Sequence, residues 1–488
     1  MGVSQEVIHD VAVCTGCAAD TFPFVYLGLP VGEKMSKIMA WDPMMDKIKS
    51  RLSKWKTKML SIGGRFTLLK SVLGSLGNYY FSLFCAPVTV IKNMEKLRSR
   101  FFWGMDENEK KLHWVRWDLI LNAMDKGGLA VGSLLALNQA LVYKWRCRFV
   151  TGSNRLWVKV IKSCYGVDGG FLSGLANSVT GRTGVWRGVL KLVDRLHTAG
   201  TLSRDSVRRQ VNNGASTRFW SDVWCGPISF QHRFSRLFHL TSNQEGMVSE
   251  FRNGQSWQFQ WNREVRGGAS AAQLDQLQHL LEDVVLRDTP DGWAWGLNDS
   301  SEFSVADVQN HFDEVRLPAG NAPTLWNRFL PIKINIFVWR VALNRLPTRC
   351  NLVSKGIDLE TVLCPVCQME VESLAHILFQ CEVAFALWGR VATWCDAYMP
   401  VFDSFGEVHQ WIDGQSTVNF RRSKMEAVCF TLMWVLWMFR NGMVFGDPKP
   451  KQNLLFDSVV SYSYNWFCNR NKKIDRDWNA WMICPHRN

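Results

Sequence analysis

Nothing in these 488 residues reads as a phosphate cradle or a hydrolytic centre. GxxxxGK followed by Ser or Thr, HExxH, GxSxG and a glycine fingerprint between strand and helix are all missing, which excludes the commonest nucleotide, metalloprotease and serine-hydrolase chemistries. Paired acids that would hold magnesium for phosphoryl or nucleotidyl transfer are missing too; "WDPMMD" and "DVVLRD" are isolated acidic positions. Asp283, Asp288 and Asp291 gather beside Pro290 and Gly292, where they read as turn residues. No catalytic residue is assigned.

Cysteine is also sparse. Fourteen irregularly spaced cysteines do not make a disulfide framework, and no charged stretch followed by a long apolar run opens the chain. Reduced thiols and an intracellular setting, nucleus or cytoplasm undecided, are expected. The most apolar run, Val428 to Phe439, has twelve residues. As a helix it spans about 18 Å, short of a hydrocarbon core of about 30 Å, so no membrane partner is expected. Acidic residues are outnumbered: 57 Lys and Arg face 43 Asp and Glu, a formal charge of +14. That field attracts polyanions.

What is present is mostly helical pattern with aromatic residues throughout. The expected fold is mainly α with small β hairpins, in several units. Residues 1–150 read as a basic helical region, 151–320 as a mixed connector with short strands, 321–395 as a small helical unit and 396–488 as a tryptophan-rich helical region. An extended segment, "FVYLGLPVG", comes first, and the alternation before it reads as the interior of a larger domain. In "AWDPMMDKIKSRLSKWKTKMLSIGG", Met45, Ile48, Leu52, Trp55 and Met59 recur at helical spacing as one buried stripe, with Gly63 and Gly64 as its stop. Lys47, Lys49, Arg51, Lys54, Lys56, Lys58, Arg65 and Lys70 follow one another with no acid between them. Such a segment suits a phosphate backbone. Trp145, on a later helix, reads as core, and "GWAWGLNDSSEFSVADV" as short strands or a hairpin leading into a helix from Val305.

The strongest chemical signal is the spacing Cys364, Cys367, His376, Cys381, or C-x2-C-x8-H-x4-C. Two cysteines on a tight turn with a histidine and a third cysteine complete the tetrahedron zinc accepts, and no fifth donor keeps a position open, so the expected ion is structural Zn2+. Five residues of ideal helix turn the chain by roughly 500°, leaving His376 and Cys381 about 140° apart. A bend between Phe379 and Cys381 is therefore required. His376 is expected on a short helix capped near Glu372.

Taken in order, "PFVYLGLPVG", "RLSKWKTKMLSIGGRFTLLKSVLGSLGNYYFSLFCAP", "RSRFFWG", "FWSDVWCG", "LWNRFLPIKINIFVWRVALNRLPTRCNLVSKGI", the cysteine and histidine knuckle and "WVLWMFRNGMVF" resemble the downstream part of plant LINE-type, non-LTR retrotransposon reverse transcriptases. The resemblance runs along nearly the whole chain. It implies that residues 1–150 are thumb-like, that residues 321–395 are a reverse transcriptase zinc-binding domain, and that RNA or an RNA–DNA duplex is the partner. In that family the magnesium-binding aspartates precede "YLGLP". The sequence contains no such turn, so the expectation is a non-catalytic fragment or degenerate copy of an RNA-directed DNA polymerase that retains nucleic-acid binding. Apolar thumb surface without its palm would favour self-association. The competing expectation is a zinc-stabilised structural or protein-interaction scaffold without nucleic-acid binding.

Overall fold

The computed structural model describes residues 4–18, 22–54, 59–105, 109, 112–152, 155–171, 184–203, 206–254, 256–297, 302–415, 418–471 and 477–485. It is mainly helical, with three two-stranded antiparallel ladders among the described residues. The chain forms two compact units, each assembled from separated segments: Met1–Met44, Gly77–Lys92 and Gly132–Arg316 in the first, Met45–Leu76, Asn93–Val131 and Leu317–Asn488 in the second.

In the first unit the extended segment folds as predicted. Phe24–Tyr26 pairs with Leu29–Val31, and Leu27 and Gly28 between them have φ of 49° and 78°. Two successive positive φ angles make the two-residue turn whose twist matches a hairpin. Much of the apolar surface here is uncovered. Of the described side chains in the helix Gln5–Thr15 only Ala12 is buried, and Val7, Ile8, Val11, Val25, Tyr26 and Leu27 are all exposed.

The helix Leu134–Thr151 organises the unit's main core. Ala136, Ala140, Tyr143 and Cys147 recur every three or four residues and are buried, as one helical stripe should be. Ser133 caps it by accepting from the Ala136 N–H at 3.1 Å. The buried Asn138 amide donates to the Phe81 and Phe84 carbonyls and accepts from the Ala86 N–H, so one side chain satisfies a loop that makes no ladder. Trp145 packs against this core edge-on to Trp157, with its indole N–H on the Ser82 carbonyl, and so has the role assigned to it.

The segment from Gly292 to Val308, expected as short strands or a hairpin, supplies a short strand, and among the described residues that strand pairs elsewhere. Gly292–Trp295 pairs antiparallel with Val207–Gln210, more than eighty residues earlier, and the helix Val305–Arg316 follows where predicted. A distant partner costs more loop-closure entropy than an adjacent one, and the burial of Trp295 and Ala294 in this pairing offsets that cost.

Asp291 anchors the turn beside that strand. Its carboxylate accepts from the N–H groups of Asn212, Gly214 and Ser216 and from the Thr217 hydroxyl, all at 2.8 to 3.0 Å. Burial alone would raise its pKa, but these hydrogen bonds outweigh burial and lower it. A lowered carboxylate pKa contributes stability above the ordinary carboxylate value and loses it as pH falls through the folded value. The Asp291→Asn chain should therefore unfold at lower urea than the native chain at neutral pH. The gap should begin to narrow as pH falls below the ordinary carboxylate value of about 4 and should close only at still lower pH, where the native carboxylate protonates; a gap that persisted undiminished would contradict this role. Asp283 and Asp288 are exposed, consistent with turn residues.

In the second unit, the helix Asp42–Lys54, which begins in the first, buries Ile48 as predicted and leaves Leu52 half-buried, but at its start Met44 is buried and the predicted Met45 only half-buried. Trp55 lies outside the described residues, and Met59 is exposed. Gly63 and Gly64 do not stop that helix. They open the next one, Ile62–Leu68, capped by Ser61. Gly63 is needed for close approach: a Cβ there would stand 2.9 Å from the Lys333 backbone nitrogen.

The core of this unit is built from the helices Ile332–Ala342, Glu382–Trp394, Asn419–Phe445 and Leu455–Arg470, with Trp388, Phe430 and Phe467 fully enclosed. The helix predicted from the twelve-residue apolar run is much longer than that run. Phe420–Phe445, 26 residues, would span about 39 Å, so length does not exclude a membrane as the shorter count implied. Burial bears on the question instead: 61% of its most apolar window is inside the unit, as in a core helix.

Candidate metal centre

The knuckle begins at an isolated antiparallel bridge. Leu363 bridges Val371, the Cys364 N–H donates to the Glu370 carbonyl at 2.7 Å, and the Glu372 N–H donates to Val362 at 2.8 Å. Between them Cys364 to Gln368 makes a tight turn, closed by the Gln368 N–H on the Cys364 carbonyl, with Gln368 at φ 61°. The Val366 N–H points at the Cys364 sulfur from 3.4 Å. Backbone donors aimed at a sulfur favour the thiolate that a metal binds.

The other two donors come from the segment that follows. Ser373 caps it by accepting from the His376 N–H at 3.0 Å, one residue beyond the cap position predicted. His376–Gln380 is a single π-helical turn, in which the Cys381 N–H reaches the His376 carbonyl five residues back at 2.7 Å. Cys381 then leaves the helix at ψ 139° and opens the helix Glu382–Trp394. The wider turn and the break at Cys381 together supply the bend that five residues of regular helix lacked. Trp388, fully buried, donates from its indole to the Leu378 carbonyl in that turn.

One donor atom from each of Cys364, Cys367, His376 and Cys381 lies within 4.8 Å of every other, and the Cys367 sulfur is 3.3 Å from His376 Nε2. Cys364, Cys381 and His376 are buried and Cys367 is half-buried. Among the described residues this is the one group of three or more Cys, His, Asp or Glu donors gathered closely enough to hold an ion. The Cys364 thiol is lowered by the hydrogen bond from Cys381, against burial, with help from the Val366 and Cys367 N–H groups; Cys381 is raised by that same bond and by burial. Three thiols and one imidazole in a buried tetrad, with no fifth donor, fit a structural Zn2+ site.

A buried ion pair that sequence reading missed ties the knuckle to the rest of the unit. Glu372, fully buried, takes a two-pronged contact from Arg440 at 2.5 and 2.9 Å and also accepts the Arg349 N–H at 3.0 Å. Arg440 stands on the long helix Asn419–Phe445, 5.1 Å from the Trp437 ring. The available signal was an arginine inside "WVLWMFRNGMVF", where burial demands a partner.

The basic segment is placed as follows. Lys47, Lys49, Arg51 and Lys70 are exposed, with Lys49 3.4 Å from Asp46. Arg65 is half-buried, and its guanidinium donates to the Leu60 and Phe102 carbonyls. Burial lowers its pKa. The Lys54 side chain, Lys56 and Lys58 lie outside the described residues.

Comparison with known proteins places this geometry. Residues 303–388, which include all four donors, match the family described as zinc-binding in reverse transcriptase. The chain thus carries a zinc-binding module of the reverse-transcriptase type. Over 437 residues it is 24% identical to the Arabidopsis thaliana "Putative ribonuclease H protein", an alignment covering 86% of this chain and 66% of that protein. Over 147 residues it is 26% identical to an Arabidopsis thaliana "Uncharacterized mitochondrial protein", covering 30% of this chain and 90% of that one. The chain is thus similar to these two plant proteins, and spans just under two thirds of the larger one.

Proposed function

We propose that this chain is the thumb-like and zinc-binding part of a plant LINE-type reverse transcriptase, a non-catalytic fragment or degenerate copy that holds RNA or an RNA–DNA duplex. The observation that carries the reading is the coincidence of the buried Cys3His tetrad with the segment matching the reverse-transcriptase zinc-binding family. The regions 1–150, 151–320, 321–395 and 396–488 then serve as basic thumb, connector, zinc-binding domain and tryptophan-rich C-terminal region, and the setting is intracellular. Zinc holds the knuckle's shape, and phosphates are met by the exposed cations Lys47, Lys49, Arg51 and Lys70.

Affinity for an RNA–DNA duplex should fall steeply with salt, because each neutralised phosphate releases condensed counterions. Replacing Lys47, Lys49 and Arg51 together by Gln should weaken binding and flatten the slope of log K against log salt by about 0.7 to 0.9 for each phosphate no longer neutralised. A flat salt dependence in the native chain, or no binding at low salt, would overturn the proposal in favour of a zinc-stabilised scaffold.

A further inference from the structure

Most ring pairs of the second unit meet at tilted or edge-on angles, but one pair with an exposed member is stacked. Tyr462 and Trp466, one turn apart on the helix Leu455–Arg470, lie nearly parallel at 10°, with centroids 5.2 Å apart, and Tyr462 is 46% exposed. The Lys333 ammonium, from the helix Ile332–Ala342, is 5.9 Å from the Trp466 ring and 5.6 Å from Trp434 on the long helix. Three helices thus contribute one cation and three rings to one place. Asn469 and Arg470, both exposed, follow Tyr462 by seven and eight residues and share its helical face. The backbone of Lys333 is also the group that Gly63 approaches, near the start of the helix Ile62–Leu68.

We propose that Tyr462, Trp466, Trp434 and Lys333 form a stacking platform for unpaired bases of a single-stranded nucleic acid. A pair of rings four residues apart stabilises a helix by only a few tenths of a kcal/mol, and burial would have turned Tyr462 inward. An exposed ring stacked on a second ring, with a cation beside it, offers instead a π-face to a base and a charge to its phosphate, a combination that tolerates any sequence. The platform rests on the nucleic-acid reading above but recognises a different feature: base faces, where Lys47, Lys49 and Arg51 meet only backbone.

The test uses the full chain and fluorescence anisotropy with labelled oligouridylate, oligothymidylate and a blunt RNA duplex. Tyr462→Ala should weaken binding to single strands by about ten-fold, the loss of one base stack, with duplex affinity and salt slope unchanged. Tyr462→Phe, which keeps the ring, should bind as the native chain does. A preference for oligouridylate or for oligothymidylate would say whether RNA or DNA is the source of the bases. Native-like single-strand binding by Tyr462→Ala, or an equal loss on duplex and single strands, overturns the platform. Binding of duplex alone by the native chain removes the platform and leaves the thumb reading standing, whereas binding of neither removes both.

Discussion

Cys364→Ser should cost the second unit more than about 3 kcal/mol, a fraction of the roughly 10–16 kcal/mol that structural zinc supplies to small zinc-finger peptides at neutral pH. Cys364 is fully buried, and the turn around it is shaped to present N–H groups to its sulfur. Without the ion, the cysteine turn, the π-turn and the break at Cys381 have little else to hold their geometry, since the approach to the knuckle is a single bridge between Leu363 and Val371. Hydrogen exchange should show protection lost from about residue 362 to the start of the helix Glu382–Trp394, with the first unit's core helix Leu134–Thr151 unaffected. A chelator should reproduce the effect, and Cys350→Ser, at a half-buried cysteine outside the tetrad, should not. Native-like protection in Cys364→Ser would mean that the helical core alone supports the knuckle.

Glu372→Gln should be nearly as damaging, by about 3–5 kcal/mol, because it leaves Arg440 charged, buried and without its carboxylate. The two-pronged contact is oriented by the Arg349 N–H on the carboxylate and by the Trp437 ring near the guanidinium, so water cannot easily replace it. Arg440→Met should cost a similar amount through the orphaned carboxylate. The double substitution Glu372→Leu with Arg440→Met should recover much of the loss, since both polar groups are then gone. Urea titrations of the four chains give the coupling directly. Additive single losses would show that the pair does not act as a unit.

Much of the site was legible because its chemistry is local. The C-x2-C turn, the histidine and the third cysteine fall within eighteen residues, and the angle between His376 and Cys381 on a regular helix was enough to require a bend. What spacing cannot convey is how the bend is made. A π-turn differs from an α-turn by one hydrogen-bond register, and the indole of Trp388 that meets the Leu378 carbonyl is ten residues away. Glu372 looked like a cap because caps are local, whereas its partner Arg440 stands 68 residues on. The same limit explains the strand Gly292–Trp295, which pairs with Val207–Gln210, and Gly63, whose role depends on Lys333 rather than on the helix before it. Helical periodicity marked the helices at Leu134 and Val305 but missed the extent of Asn419–Phe445, since a helix buried around most of its circumference shows no stripe.

The account stands on the Cys3His tetrad holding zinc. X-ray absorption at the zinc edge on the purified chain measures the ligand set itself. One zinc per chain with three sulfurs at about 2.3 Å and one nitrogen at about 2.0–2.1 Å is the predicted shell, and Cys367→Ser should abolish or visibly alter it. Zinc-free protein that keeps its fold, or a shell dominated by oxygen, would contradict the account.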